Sequence, residues 1–154
     1  MATTSVRALF QSNGGYAALA LRVPVGVILA AYGAQKLFGW FGGYGLEGTG
    51  QWMASIGLTP GYLMALLAGS AEFFGGLALV LGLLTRPAAL VSAFTMLVAA
   101  FSVHIGNGLF MSNNGYEYAL TLFAATLALA IQGAGHVALD NRVLALLSQG
   151  KSAA

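Results

Sequence analysis

Four blocks of nearly uninterrupted apolar residues decide most of what this chain can become. A helix rises about 1.5 Å per residue and the hydrocarbon layer of a bilayer is about 30 Å thick, so a span needs about 20 apolar residues. The stretches 17–38, 62–84, 87–105 and 116–133 approach or reach that length. Only 6% of the 154 residues are charged, against 58% hydrophobic, whereas a soluble domain carries about a quarter charged residues to keep its surface wet. The expected architecture is all-α: one polytopic membrane domain over residues 1–154, built as a four-transmembrane-helix bundle.

Proline is tolerated in the first turn of a helix, where its missing N–H has no partner to lose. Pro87 therefore marks the start of the third span, and Thr85-Arg86 becomes a tight hairpin between antiparallel neighbours. Four spans put both termini on one side, with that hairpin. Arg7, Arg86, Arg142 and Lys151 fall there, with Arg22 near it, while Lys36 stands alone on the other side. The bias of basic residues toward the cytoplasm places both termini inside. The first residues do not read as a signal peptide: Arg7 is their only charge, and the apolar stretch behind it is long enough to stay as an anchor.

The outer segment 39–61 is glycine-rich and aromatic. Thr49 is placed to cap a short helix with Trp52, Met53 and Ile56 toward the lipid surface. The segment is either an interfacial aromatic belt or a lid over a pocket. Residues 106–115 read as a polar, turn-rich loop. On the inner side, 136–148 reads as a surface helix with Val143, Leu144 and Leu147 down and Arg142 up.

Ionisable residues within the spans are the informative part, because a charge at a helix centre costs about 2.5–3.5 kcal/mol on insertion scales. Counting from the centre of each span, Lys36, His104 and Glu117 share a level about 11–12 Å toward the outer side, and Glu72 sits within about 2 Å of the midplane. Arg22 lies about 10 Å toward the inner side. Each falls on a stripe of small residues: Gly26 and Gly33 beside Arg22 and Lys36, Ala65, Gly69 and Gly76 beside Glu72, Ala93 and Ala100 beside His104, Ala124 and Ala128 beside Glu117. Small residues mark the contact faces of membrane helices. These side chains are thus expected to converge on a cavity near the outer face. The architectural alternative is a Lys36–Glu117 ion pair locking helices one and four, with His104 hydrogen-bonded nearby. Glu72 is too deep to snorkel and needs a partner or a proton. Arg22 either reaches inward to Glu72 or snorkels to the inner headgroups.

Several chemistries drop out. The absence of cysteine removes disulfide relays, thiolate-held iron–sulfur clusters and cysteine zinc sites. His104 and His136 fall about a bilayer thickness apart, so they cannot share a haem. The Glu-x-x-His motif of di-iron bundles is missing, no phosphate-binding glycine loop follows a strand, and the remaining carboxylates and His104 are too unclustered to be assigned a metal. A formal charge of +2 does not point to nucleic acid. What remains is a pocket for a small amphipathic ligand with hydrogen-bonding oxygens. A quinone fits, with Glu72, His104 and Glu117 as catalytic, proton-exchanging candidates. Arg22, Lys36, Trp40, Tyr44, Trp52 and Tyr116 are the ligand-binding candidates. The electrons need a bound cofactor or a soluble or membrane redox subunit.

At these residues the chain resembles the DoxX family of small bacterial membrane proteins. The resemblance runs over residues 20–141, through LRVPVGVILAAYGAQKLFG, AEFFGGLALVLGLLTRPAAL, HIGNGLFMSNNGYEYAL and GAGHVALD, with Arg22, Lys36, Glu72, Arg86, His104, Glu117 and Asp140 in order and spacing. His136 and Ala134 depart from the usual basic or polar residue and proline. The resemblance implies an inner-membrane location. It also implies roles such as subunits of quinol oxidase or thiosulfate:quinone oxidoreductase assemblies, anchors in complexes handling thiol and superoxide stress, or proteins linked to quinone or catechol resistance. The expected function is a membrane component of a quinone-linked oxidoreductase. The alternatives are a small-molecule or ion transporter, as a homo-oligomer since four helices leave little room for a pathway, and a non-catalytic anchor of a redox complex.

Overall fold

The computed structural model describes residues 2–149. Among them every regular element is helical. Helix α1 covers Ala2–Phe10, α2 Gly15–Phe38, α3 Gly45–Ser55, α4 Gly61–Leu81, α5 Thr85–Ala99, α6 Glu117–Gln132 and α7 Leu139–Gln149. Lys151, counted above among the inner basic residues, lies outside the described residues.

Three helices are long and apolar enough to cross a bilayer: α2 with 24 residues, α4 with 21, and α5 with its continuation to Asn107, 23 residues in all. Helix α6 is apolar but has 16 residues, about 24 Å at the helical rise, a little less than the hydrocarbon thickness. The four helices form a ring in which α2 packs on α4, α4 on α5, α5 on α6 and α6 on α2. Ala18, Val25, Leu29, Leu79, Met96, Leu122 and Leu129 fill the centre. Long apolar side chains such as Phe94, Phe101, Phe74 and Ile131 point away from it, as lipid-facing residues do.

The α2–α4 contact is glycine on glycine. A Cβ at Gly26 would stand 2.6 Å from the Gly76 carbonyl oxygen, one at Gly76 would overlap Ala30, and one at Gly33 would overlap the Phe73 backbone. The numbering rises on one helix as it falls on the other, so the pair is antiparallel, and the glycines let the backbones touch. The hairpin between α4 and α5 is as tight as Pro87 implied: Gly82 ends α4 in the left-handed region (φ 64°) and α5 begins at Thr85.

Four local expectations need correction. Thr49 is not a cap: α3 starts at Gly45, so Thr49 sits inside it, buried. Met53 turns inward rather than toward lipid, because α3 lies tightly against the start of α4, where a Cβ on Gly50 would stand 2.9 Å from the Tyr62 Cα. In α6 the buried face is Ala119, Leu122, Thr126 and Leu129, about half a turn from the stripe through Glu117, Thr121, Ala124 and Ala128. Small and apolar residues occur on both faces of α6, so size alone did not choose between them. Helix α7 begins at Leu139, three residues later than expected, with Val143 and Leu144 half-buried and Arg142 exposed. It packs against α1, and Arg7 hydrogen-bonds Ser148 between them.

Candidate polar cavity

Glu72 lies near the middle of α4 and is 3% exposed. Its Oε2 is 2.6 Å from Lys36 Nζ. The two meet because α2 and α4 touch: a Cβ on Gly69 would stand 3.2 Å from the Lys36 Cβ. Glu72 is three residues further along α4, about 4.5 Å toward the bundle centre, within reach of the lysine stem. The architectural alternative, a Lys36–Glu117 pair, does not form. A long, flexible lysine answers to the nearest deep carboxylate, not to the one at its own level.

The pair forms part of the wall of a cavity of about 250 Å³ between α2, α4, α5 and α6. Tyr32, Met96, His104, Asn114 and Tyr118 also line it. Lys36 Nζ stands 5.4 Å from the Tyr32 ring centre, a cation–π distance, and the Tyr32 and Tyr118 rings are 6.0 Å apart. His104 reaches the cavity through a distortion of the helix. Residues Ala100–His104 form a π-helical turn, followed by a 3-10 turn at Ile105–Asn107. Met96 and His104, eight residues apart across that turn, line one hollow. His104 Nδ1 is 2.9 Å from the Asn114 carbonyl oxygen. A carbonyl only accepts, so Nδ1 carries the hydrogen and Nε2 is left for a ligand.

Of the nine residues picked from the sequence, Lys36, Glu72 and His104 line this cavity. Glu117 does not: its Oε1 accepts the Met111 N–H at 2.6 Å, tying down the loop before α6. Tyr116 is held by its own N–H on the Gly108 carbonyl and lines neither hollow described here. Tyr44 and Trp52 line a second hollow, under α3. Trp40 lies beside Phe38, rings 5.0 Å apart. Tyr32, Tyr118, Met96 and Asn114 were missed. A phenol inside an apolar span is a signal, since a buried hydroxyl wants a partner, but it carries no charge to mark its depth.

Arg22 departs furthest from expectation. It is 1% exposed and neither meets Glu72 nor snorkels. Its guanidinium donates to the carbonyls of Leu79 (2.9 Å), Val80 (2.5 Å), Ala134 (3.0 Å) and Val137 (2.5 Å). It thereby satisfies the end of α4 and the segment before α7, carbonyls that a helix terminus leaves unpaired. Asp140 does the converse: its two carboxylate oxygens accept the N–H groups of Leu84 (2.6 Å) and Thr85 (2.9 Å) at the start of α5. Arg86 donates to the carbonyls of Gln11 and Ala130. The end that holds α1 and α7 is thus a structural knot, and the open polar chemistry sits at the opposite end.

A ring of apolar helices, knotted by buried Arg22 and Asp140 at one end and enclosing a Lys–Glu pair with a histidine at the other, defines a multi-pass helical membrane protein with a small polar cavity. The chain belongs to the DoxX family, whose model matches residues 17–105. It is 37% identical over 126 residues to "Inner membrane protein YqjF" of Escherichia coli K12, covering 76% of this chain and 91% of the relative. It is 35% identical over 122 residues to "Putative oxidoreductase CatD" of Bacillus subtilis 168, covering 79% and 83%. With "Inner membrane protein YphA" of E. coli K12 it shares 31% identity over 129 residues, covering 80% and 88%. No solved structure matches the chain. Its location is the bacterial inner membrane, which it crosses more than once.

Proposed function

We propose that this protein binds a quinone-like molecule in the cavity beside Lys36 and Glu72, as the membrane component of a quinone-linked oxidoreductase. One observation carries the reading: an acid, a base and an imidazole from three helices share a hollow whose remaining walls are mostly apolar and aromatic. The ammonium of Lys36 has three donors, one of which goes to Glu72, leaving two for a ligand oxygen. His104 Nε2 is suited to accept a hydroxyl proton or return it, and Glu72 serves as the second proton partner through Lys36. Tyr32 and Tyr118 offer rings and hydroxyls to an aromatic head. Electrons come from a partner subunit, in line with the word oxidoreductase in the name of the Bacillus relative. Glu117 and Tyr116 act on this proposal by holding the loop above the cavity, and Arg22 by fixing the helix ends below it.

The same proposal takes residues 1–154 as one membrane domain of four spans, α6 being the fourth, with both termini cytoplasmic. The closed ring of α2, α4, α5 and α6 supports the count. Arg7, Arg86 and Arg142 lie on the α1–α7 side, away from the cavity, which supports the orientation.

The test is binding of a short-chain benzoquinone to purified protein in nanodiscs, measured by calorimetry. Glu72→Gln and His104→Ala are each expected to weaken binding roughly tenfold, the scale of one lost hydrogen bond to a charged or proton-exchanging group. Unchanged affinity in both folded variants would overturn the proposal and leave the anchor reading.

A further inference from the structure

Lys36 belongs to two hollows. On one side of it lies the deep cavity. On the other, a larger hollow of about 630 Å³ opens between the end of α2, the glycine-rich turn and α3. Gln35, Gly43, Tyr44, Gly48 and Trp52 line it together with Lys36. Binding a ligand head in the deep cavity does not use this groove.

Size makes the groove matter. An apolar cavity of about 150 Å³ is enough for one benzene. The deep cavity, at about 250 Å³, has room for one substituted ring head and little more. Any apolar chain on that head has to leave. One outer exit, past Met111, is bordered by a loop held in place by the Glu117–Met111 and His104–Asn114 hydrogen bonds, and by Tyr116 and Glu117 donating their N–H groups to Gly108 and Leu109. The other runs past the lysine stem. Its floor is fixed: Gly43 packs on Gln35 so closely that a Cβ would overlap it. Its flank is Trp52, 43% exposed, an indole with one face for a chain and one end for the water interface.

We infer that the groove between α2 and α3 is the binding site for the aliphatic chain of a tailed ligand, whose polar ring occupies the deep cavity, with Lys36 at the junction. This rests on the head-site reading above. The ligand class is a ring bearing oxygen substituents and a flexible hydrocarbon chain.

A benzoquinone carrying a decyl chain with a diazirine near its end, photolysed in nanodiscs and mapped by mass spectrometry, tests the inference. Labelling within residues 42–52 that an untailed benzoquinone displaces supports it. Labelling that the untailed quinone displaces but that maps to residues 109–114, or to the lipid-facing side of α5, overturns it while the head site stands. Labelling that the untailed quinone does not displace sinks the head site and this inference with it. Trp52→Ala is expected to weaken the tailed quinone about tenfold more than the untailed one. An equal loss for both would count as a refutation, because it would make Trp52 a structural residue only.

Discussion

Lys36 and Glu72 show how a charge survives inside an apolar bundle. Removing one partner of a buried pair leaves the other uncompensated, at about 3–5 kcal/mol, whereas replacing both with apolar residues of similar volume is often neutral. Lys36→Met is therefore expected to lower thermal stability in detergent, and Lys36→Met with Glu72→Leu to regain most of it while failing to bind a quinone. A double variant as unstable as the single one would contradict the pairing. Arg22 is a different case, since its value lies in geometry. Four carbonyls from two segments need the planar fork of a guanidinium, which a lysine cannot imitate. Arg22→Lys should reduce the apparent Tm by on the order of 10 °C, read by scanning fluorimetry. Both residues stood out in the sequence as charges within spans, but only coordinates separate them. Arg22 sits among unpaired helix ends, and Lys36 sits beside a hollow.

At the level of elements, the glycines on α2 and α4 are not interchangeable with others in the chain. A side chain at Gly33 would overlap the Phe73 backbone, while a Cβ at Gly106 meets nothing within 4 Å. Gly33→Leu should push α2 off α4 and separate Lys36 from Glu72, seen as loss of folded protein on size exclusion. Gly106→Ala should stay within about 0.5 kcal/mol of the parent. The small-residue stripes of α2 and α4 could be read directly from the sequence, because each helix has one clear line of glycine and alanine. In α6 two such lines compete, and only its packing against α5 and α2 selects Ala119, Leu122, Thr126 and Leu129. The π turn at Ala100–His104 was likewise invisible. A one-residue change in hydrogen-bond spacing leaves no mark in a uniformly apolar segment.

For the whole molecule, the proposed orientation can be checked without removing native thiols, since the chain has no cysteine. In inside-facing and right-side-out vesicles, Ala145→Cys in α7 should react with an impermeant maleimide only from the cytoplasmic side, and Ser112→Cys only from the outer side. Labelling of both from the same side would contradict an even number of spans. The polar cavity at one end and the Arg22–Asp140 knot at the other divide the molecule between the proposed ligand site and an end fixed by buried hydrogen bonds. Hydropathy by itself determined that the chain is helical and membrane-embedded, because a bilayer leaves the backbone few other ways to pair its polar groups. It also determined which charges would be unusual enough to need partners. Which partner each charge found was decided by tertiary structure alone. A lysine stem or a guanidinium reaches about one helical turn, and within that radius only the packed positions of neighbouring helices say whether it meets a carboxylate, a row of carbonyls or an open hollow.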